Sequence, residues 1–133
     1  GARLVDMGVE PYLVASAIDC VVAQRLARRL CEDCRRPVTV PGADVGLADA
    51  GGIEVFEAAG CPRCRDTGYR GRLGLFEVMA ISEEIRSLIV TRAHAGEIRR
   101  VAVEQGMRPL IEDGFDKVRA GDTTLAEIAR VTA

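Results

Sequence analysis

Cys31-Glu32-Asp33-Cys34 and Cys61-Pro62-Arg63-Cys64 are two Cys-x-x-Cys stretches, separated by 26 residues. The two-residue gap lets both sulfurs of a stretch point at one ion, and two stretches together supply tetrahedral sulfur ligation, which zinc accepts readily. Four sulfur ligands leave no position for water, so such a site cannot make a nucleophile. The spacing therefore predicts one structural zinc ion, with the ligands Cys31, Cys34, Cys61 and Cys64.

The segment between the two stretches is rich in glycine and proline and poor in large apolar residues. Burial alone is a weak driving force for such a segment, so we expect the metal ion to organise it. The separation exceeds the roughly 15–20 residues of common zinc ribbons, which predicts an atypical hairpin. Two alternatives fit less well: a thioredoxin-type redox pair needs one Cys-x-x-Cys near a βαβ pattern, and an iron–sulfur cluster usually has more tightly grouped cysteines.

The fifth cysteine, Cys20, stands apart from both stretches and precedes Val21 and Val22. An odd total fits poorly with the disulfide framework of a secreted protein and fits a reducing compartment. Because free cysteine behaves as a small apolar residue, we expect Cys20 to be buried.

The apolar pattern predicts an α+β fold that is mostly helical, with one short antiparallel strand pair. The strands are expected over residues 20–30, which begin with β-branched valines, and over 72–81, where apolar residues alternate. Two short helices should precede them, and helices should fill the chain after residue 82. Helices should begin at Pro11 and Pro109 and end at Gly8, Gly106 and Gly121. Ser82 should cap the N-terminus of a helix, and Thr124 with Glu127 should form a capping box.

Composition excludes several classes of protein. The chain has 133 residues and a formal net charge of −2, which argues against a dedicated nucleic-acid binder. No apolar run approaches the roughly 20 residues that span a bilayer. The chain begins without an initiator methionine or a signal-peptide pattern, which favours a piece of a longer cytosolic protein.

Catalytic motifs are missing from the sequence. A P-loop needs Gly-Lys followed by Ser or Thr, but the only lysine, Lys117, precedes Val118. The only histidine, His94, falls in a predicted turn and should face solvent. We therefore expect no catalysis by the residues of this chain alone.

Arginines are concentrated on both sides of the cysteine stretches, in residues 20–36 and 61–76. One interpretation is that these cations offset a zinc–tetrathiolate centre of formal charge −2 and solvate the surface. The other is a contact with phosphate or an acidic lipid. The sequence leaves both open.

Several motifs together resemble the secretion ATPases of type II secretion and type IV pilus assembly. The resemblance covers essentially the whole chain in order, and the cysteine block with Gly-Tyr-x-Gly-Arg is its most specific part. The matching motifs are Arg3-Leu4-x-Asp6-Met7-Gly8-x-Glu10-Pro11, Ala23-Gln24-Arg25-Leu26, Leu30-Cys31-x-x-Cys34, Gly60-Cys61-x-x-Cys64, Thr67-Gly68-Tyr69-Arg70-Gly71-Arg72, Gly74-x-Phe76-Glu77, Gly106-Met107, Asp113-Gly114, Lys117-Val118, Gly121 and Thr123-Thr124.

The resemblance implies a longer parent protein, a cytoplasmic homohexameric ATPase with a RecA-like core, located peripherally at the inner membrane. Such proteins use ATP hydrolysis to move pilin-like subunits through an inner-membrane platform protein. Their ATP and Mg²⁺ sites lie upstream, so this chain would begin just after the histidine box. The implied division is 1–30 as the end of the ATPase core, 31–70 as the zinc subdomain, and 71–133 as a strand and helical subdomain that contacts the core and neighbouring subunits.

Two further expectations come from the matched motifs. Arg25 and Arg72 flank the zinc module, and we expect one of them to face the nucleotide or a subunit interface. The run 85–89 is similar to an Ile-Arg-x-Leu-Ile segment of pilus retraction ATPases, where it is functionally sensitive. An ordinary amphipathic helix with Arg86 in solvent explains that run equally well.

Two rival classes remain open from the residues alone. A stand-alone zinc ribbon for nucleic acid would need aromatic stacking platforms near the cysteines, and only Tyr69 qualifies. A chaperone-type cysteine-rich domain would need four Cys-x-x-Cys-x-Gly-x-Gly repeats, whereas this chain has two stretches with different glycine spacing.

Overall fold

The computed structural model describes residues 2–133, which form an α+β fold of six helices and two small sheets. The helices are α1 (Ala2–Asp6), α2 (Pro11–Ala17), α3 (Glu83–Val90), α4 (Ala95–Glu104), α5 (Leu110–Arg119) and α6 (Leu125–Thr132). The strands are β1 (Cys20–Leu30), β2 (Arg36–Pro41), β3 (Gly52–Glu57) and β4 (Tyr69–Ala80). Among residues 2–133, no helix is both long and apolar enough to cross a bilayer.

The predicted strand pair is confirmed as β1 and β4, which are hydrogen-bonded neighbours in one sheet. Backbone bonds beside the two ends of the pair make it antiparallel: Ile81 N–H donates to the Asp19 carbonyl and Cys31 N–H to the Gly68 carbonyl, both at 3.0 Å. The end of β1 therefore lies beside the start of β4. Because one cysteine stretch follows β1 and the other precedes β4, strand pairing brings both stretches to the same place.

The prediction of one short strand pair in a mostly helical chain was wrong in two respects. The strands β1 and β4 have 11 and 12 residues, and a second antiparallel sheet forms between β2 and β3. In that second sheet Val38 pairs with Val55 and Val40 with Ile53. The expectation of an atypical hairpin between the cysteine stretches is confirmed, but the segment also buries apolar residues of its own.

The described residues form two compact units, one of residues 2–23 and 77–109 and the other of residues 24–76 and 110–133. The second unit contains all four cysteines of the two stretches. Its core combines residues from the strands, from the β2–β3 connection and from the last two helices: Ala27, Val45, Val55, Leu73, Leu75, Val118 and Ile128. The functional division at 30 and 70 stays a prediction, and its first residue, Gly1, lies outside the described residues.

The first unit is a helical unit around Ile81, Ile85, Val101 and Ala102. Its predicted cap is confirmed, because Ser82 Oγ accepts the N–H of Ile85 at 3.2 Å at the start of α3. Arg86 is not free in solvent: its guanidinium donates to the carbonyl of Ala15 in α2 and lies 3.7 Å from Asp19.

The prediction that Cys20 is buried was wrong. Its thiol is free and exposed, because the first three residues of β1 all lie at the surface. The prediction for His94 is confirmed: this residue is exposed and immediately precedes α4.

Candidate metal centre

The four cysteines of the two stretches converge in the second unit. The sulfur atoms of Cys31, Cys34, Cys61 and Cys64 all lie within 4.8 Å of one another. The Sγ–Sγ distance is 3.8 Å for the pair Cys31–Cys61, 3.8 Å for Cys34–Cys64 and 3.7 Å for Cys61–Cys64. These separations are far longer than a disulfide bond of about 2.05 Å, so the four thiols are free.

The local fold of the second stretch explains how both of its sulfurs face the same point. Pro62 starts a short 3₁₀ turn over Pro62–Cys64, where its missing N–H is harmless. Within this turn the two cysteines cap each other: the backbone N–H of Cys64 donates to the Cys61 sulfur, and the N–H of Cys61 donates to Cys64 Sγ at 3.2 Å. The hydrogen bonds of the turn therefore orient both cysteine side chains without a contribution from a bound metal ion.

Further backbone donors point at the sulfurs. Gly60 N–H lies 3.3 Å from Cys34 Sγ, and Gly68 N–H lies 3.2 Å from Cys64 Sγ. Gly68 has a φ of +81°, and a Cβ atom there would approach the Cβ of Ala58 to 2.5 Å. Only glycine fits this position, because it takes positive φ readily and lets the backbone approach the sulfur closely.

The thiol pKa values differ between the cysteines of this cluster. Burial opposes ionisation of Cys64, but the N–H groups of Cys61 and Gly68 outweigh it and lower the thiol pKa to about 6. At Cys34 the N–H of Gly60 lowers the pKa, but burial and the three neighbouring cysteines raise it to about 11. One thiolate therefore forms easily and suppresses the next. A bound cation removes this conflict, because it stabilises every thiolate together.

The donor set and its dimensions fit a tetrahedral metal ion. Four sulfurs at a zinc–sulfur distance of about 2.3 Å lie about 3.8 Å apart in a regular tetrahedron. The three pairs above, at 3.7–3.8 Å, match this spacing. The cluster is also too tight to enclose several iron atoms, which would have to fit between the sulfurs. The four cysteines can thus hold one metal ion.

The two arginines singled out from the sequence lie at the surface of the second unit. Arg25 is exposed in β1, and its guanidinium donates to the neighbouring carbonyl of Gln24 at 3.1 Å. Arg72 is exposed in β4. Their contact with nucleotide or with a neighbouring subunit stays a prediction.

A buried carboxylate is the main feature that the sequence analysis missed. The side chain of Glu127 in α6 is only 2% exposed. Its oxygens accept the backbone N–H of Arg28 at 2.8 Å, the guanidinium of Arg28 at 2.7 and 3.0 Å, and the guanidinium of Arg130 at 2.8 and 3.0 Å. Hydrogen bonds from Arg130 and then Arg28 outweigh burial and lower the pKa of Glu127 to about 2.

The sequence carried two local signals for this carboxylate: Arg130 three residues later in the same helix, and the capping box, which is formed in part. Thr124 Oγ1 accepts the N–H of Glu127 at 3.1 Å, as predicted. The Glu127 carboxylate binds the two arginines, and the Arg28 guanidinium also lies 4.2 Å from the ring centroid of Tyr69. Glu127 therefore joins α6 to β1, beside the first residue of β4.

Comparison with known proteins places this α+β chain and its cysteine cluster in a known class. The sequence model of the family described as "Type II/IV secretion system protein" matches residues 2–130. The chain belongs to this family.

The individual relatives are named either for type II secretion or for type IV pilus assembly. The chain is 45% identical over 130 residues to the type II secretion system protein HxcR of Pseudomonas aeruginosa, which covers 98% of this chain and 25% of the relative. It is 42% identical over 137 residues to the type II secretion system ATPase E of Vibrio cholerae, with 98% and 26% covered. It is 38% identical over 138 residues to the type IV pilus assembly ATPase PilB of Myxococcus xanthus, with 99% and 24% covered. The chain thus spans about a quarter of the length of these relatives.

Proposed function

We propose that this chain is the zinc-binding and helical C-terminal region of a hexameric ATPase that powers type II secretion or type IV pilus extension. The observation that carries the proposal is the convergence of four cysteine sulfurs within 4.8 Å of one another, with three of the pairs at the 3.7–3.8 Å expected for a tetrahedral zinc site. Cys31, Cys34, Cys61 and Cys64 would hold zinc, which supplies a closed, redox-inert cross-link when bound. With four sulfur ligands the ion has no open position, so its role is structural.

The cross-link would act on the strand pair. Cys31 immediately follows β1, and Cys64 lies five residues before β4. An ion bound by both stretches ties the end of one strand to the start of the next and closes the β2–β3 segment between them. This chain would thereby present a rigid surface to the rest of the ATPase.

The energy source would lie in the remaining part of the longer protein. A P-loop is absent from this sequence, so ATP and Mg²⁺ would bind elsewhere in the parent. The names of the relatives support an ATPase of secretion or pilus assembly. In this proposal the parent is a homohexamer on the cytoplasmic side of the inner membrane. Its partners are its own ATPase core, the neighbouring subunits and an inner-membrane platform protein, with no nucleic acid.

The test of this function compares two cysteine variants of the full-length protein. Metal analysis of the wild type should give one zinc per chain. Cys61→Ser should lose this zinc and the secretion or pilus activity of cells that carry it. Cys20→Ser is the matched control, because Cys20 is exposed and outside the cluster, and it should keep both. A wild type with iron or no metal, or an active Cys61→Ser protein, would contradict the proposal.

Arg25 and Arg72 are proposed contacts with the nucleotide or with a neighbouring subunit in the ring. Both guanidinium groups are exposed, and a fixed guanidinium can bind phosphate or carboxylate through paired N–H donors. Arg25→Ala or Arg72→Ala in the full-length protein should lower the ATPase rate or the hexamer fraction. Arg36→Ala serves as the control, because Arg36 lies 3.5 Å from Glu57 in a surface pair. An unchanged rate and an unchanged hexamer population in both variants would remove this role.

A further inference from the structure

We propose that residues 121–124, between α5 and α6, are positioning residues of the metal centre. In this proposal they hold both cysteine-bearing segments, so that zinc affinity and the docking of α6 are coupled. The inference rests on the proposed zinc and concerns residues outside the four ligands.

The segment that carries the first cysteine stretch is held on both sides by this loop. Before the stretch, Thr123 Oγ1 donates to the carbonyl of Arg28 at 2.8 Å, and the N–H of Leu30 donates to the carbonyl of Asp122 at 2.8 Å. After the stretch, a guanidinium N–H of Arg35 donates to the carbonyl of Gly121 at 2.6 Å. Three consecutive loop residues therefore bracket Cys31 and Cys34.

Burial makes the loss of these hydrogen bonds costly in free energy. Thr123 is 0% exposed and Leu30 is 2% exposed, so water cannot replace a lost partner easily. The Arg35 guanidinium is itself held in place, 4.3 Å from the ring centroid of Phe56. Residues 121–123 thus hold the first cysteine stretch through hydrogen bonds that are largely excluded from water.

The second cysteine stretch is held through Tyr69. The Tyr69 hydroxyl and Thr124 Oγ1 lie 2.9 Å apart. Tyr69 follows Gly68, whose N–H donates to Cys64 Sγ at 3.2 Å and whose carbonyl accepts the N–H of Cys31 at 3.0 Å. Thr124 is therefore connected through Tyr69 and Gly68 to one cysteine of each stretch, to the sulfur of Cys64 and to the backbone N–H of Cys31.

The same loop residues begin α6. Thr124 Oγ1 accepts the N–H of Glu127 and caps the helix, and the Glu127 carboxylate binds Arg28, whose carbonyl accepts Thr123. Docked α6 and correctly placed cysteines thus depend on one set of hydrogen bonds. Coupling of this kind is reciprocal: what α6 adds to zinc affinity, zinc adds to α6 docking.

The first test measures zinc affinity by chelator competition in the full-length protein. Thr123→Val keeps the shape of the side chain and removes its bond to Arg28, and Tyr69→Phe removes only the hydroxyl. Each variant should bind zinc about five-fold more weakly, the factor that corresponds to one net hydrogen bond. Asp122→Asn is the matched control, because this loop residue acts through its backbone carbonyl and its carboxylate makes only a half-exposed pair with Arg29 at 3.3 Å.

The second test needs no variant and remains valid even if a variant does not fold. Hydrogen exchange of the α6 amides is compared in wild-type protein with zinc bound and after removal of zinc by a chelator. Exchange across α6 should accelerate in the zinc-free protein. Unchanged zinc affinity in both variants, or unchanged α6 exchange, would overturn the coupling. A wild type that binds no zinc would instead overturn the function proposed above, so the two failures are distinguishable.

Discussion

The sharpest stability prediction concerns Glu127→Gln. The substitution keeps the shape of the side chain but removes the charge that accepts N–H donors from Arg28 and Arg130. The two guanidinium groups would keep their charge and lose their shared partner. We expect the variant to be less stable than the wild type at neutral pH.

The magnitude follows from the pKa of this carboxylate. A fall from the ordinary value of 4.5 to about 2 corresponds to about 3 kcal/mol of unfolding free energy at 1.36 kcal/mol per pKa unit. The side chains of Arg28 and Arg130 are 50% and 56% exposed, so solvent screens part of the attraction. We therefore expect a loss of about 2 kcal/mol at pH 7.

The sign of the pH dependence is fixed by the same shift. Because the folded-state pKa of Glu127 is depressed, its contribution is complete above about pH 5 and is lost as the pH falls through about 2. A protonated Glu127 resembles glutamine, so the difference between wild type and variant should shrink steadily over this range. Acid also affects other groups in both proteins, and for that reason the comparison uses the difference in unfolding free energy between wild type and variant.

Urea unfolding of both proteins at a series of pH values measures this difference. Glu104→Gln is the control, because Glu104 forms an i,i+4 pair with Arg100 in which both side chains are about 60% exposed. Pairs of this kind contribute about 0.3–0.5 kcal/mol. A Glu127→Gln effect as small as that control, or one that is equal at pH 7 and pH 3, would refute the reasoning.

Two other substitutions test single contacts. Gly121→Ala should lower the unfolding free energy by about 1–2 kcal/mol in urea unfolding. Gly121 has a φ of +81°, and a Cβ there would meet Arg35 at 2.6 Å and the ring of Phe56 at 2.9 Å. An unchanged unfolding midpoint would contradict this prediction. Arg86→Ala should accelerate hydrogen exchange in α2, because the guanidinium binds the carbonyl of Ala15; equal exchange in both proteins would show that this contact does not hold α2.

Elements with strong local signals were predicted correctly. Ser82 and Thr124 cap α3 and α6 with their hydroxyl oxygens, as the sequence indicated. The four cysteines also carry a local signal, because the two-residue gap of each stretch restricts where its sulfurs can point. Their convergence then followed once the two strands were paired.

The separation of the cysteine stretches predicted a hairpin, but the two strands β2 and β3 that form it were not predicted, because their cause is not local. Pro37 and Pro41 and several glycines made residues 35–60 resemble loop. The strands form because apolar residues of this segment reach a distant core, in which Val55 of β3 and Val45 of the β2–β3 connection join Val118 and Ile128. Strand formation depends on such partners more than on intrinsic preference, and no short window of the sequence contains them.

The role of Glu127 was missed for a related reason. A capping box describes four neighbouring residues and predicts that the glutamate returns to its own helix start. Of its two guanidinium partners, Arg130 is three residues away in the same helix, but Arg28 is 99 residues away in the chain. A charged donor held beside the helix by the strand pair is a stronger partner than a neutral backbone N–H, and only the fold reveals it.

The composition of the core of the second unit has a consequence for synthesis on the ribosome. Ala27 is translated about 100 residues before Ile128, and both belong to the same core. Since this core includes Ile128, the nascent chain cannot complete the core until α6 has been synthesised.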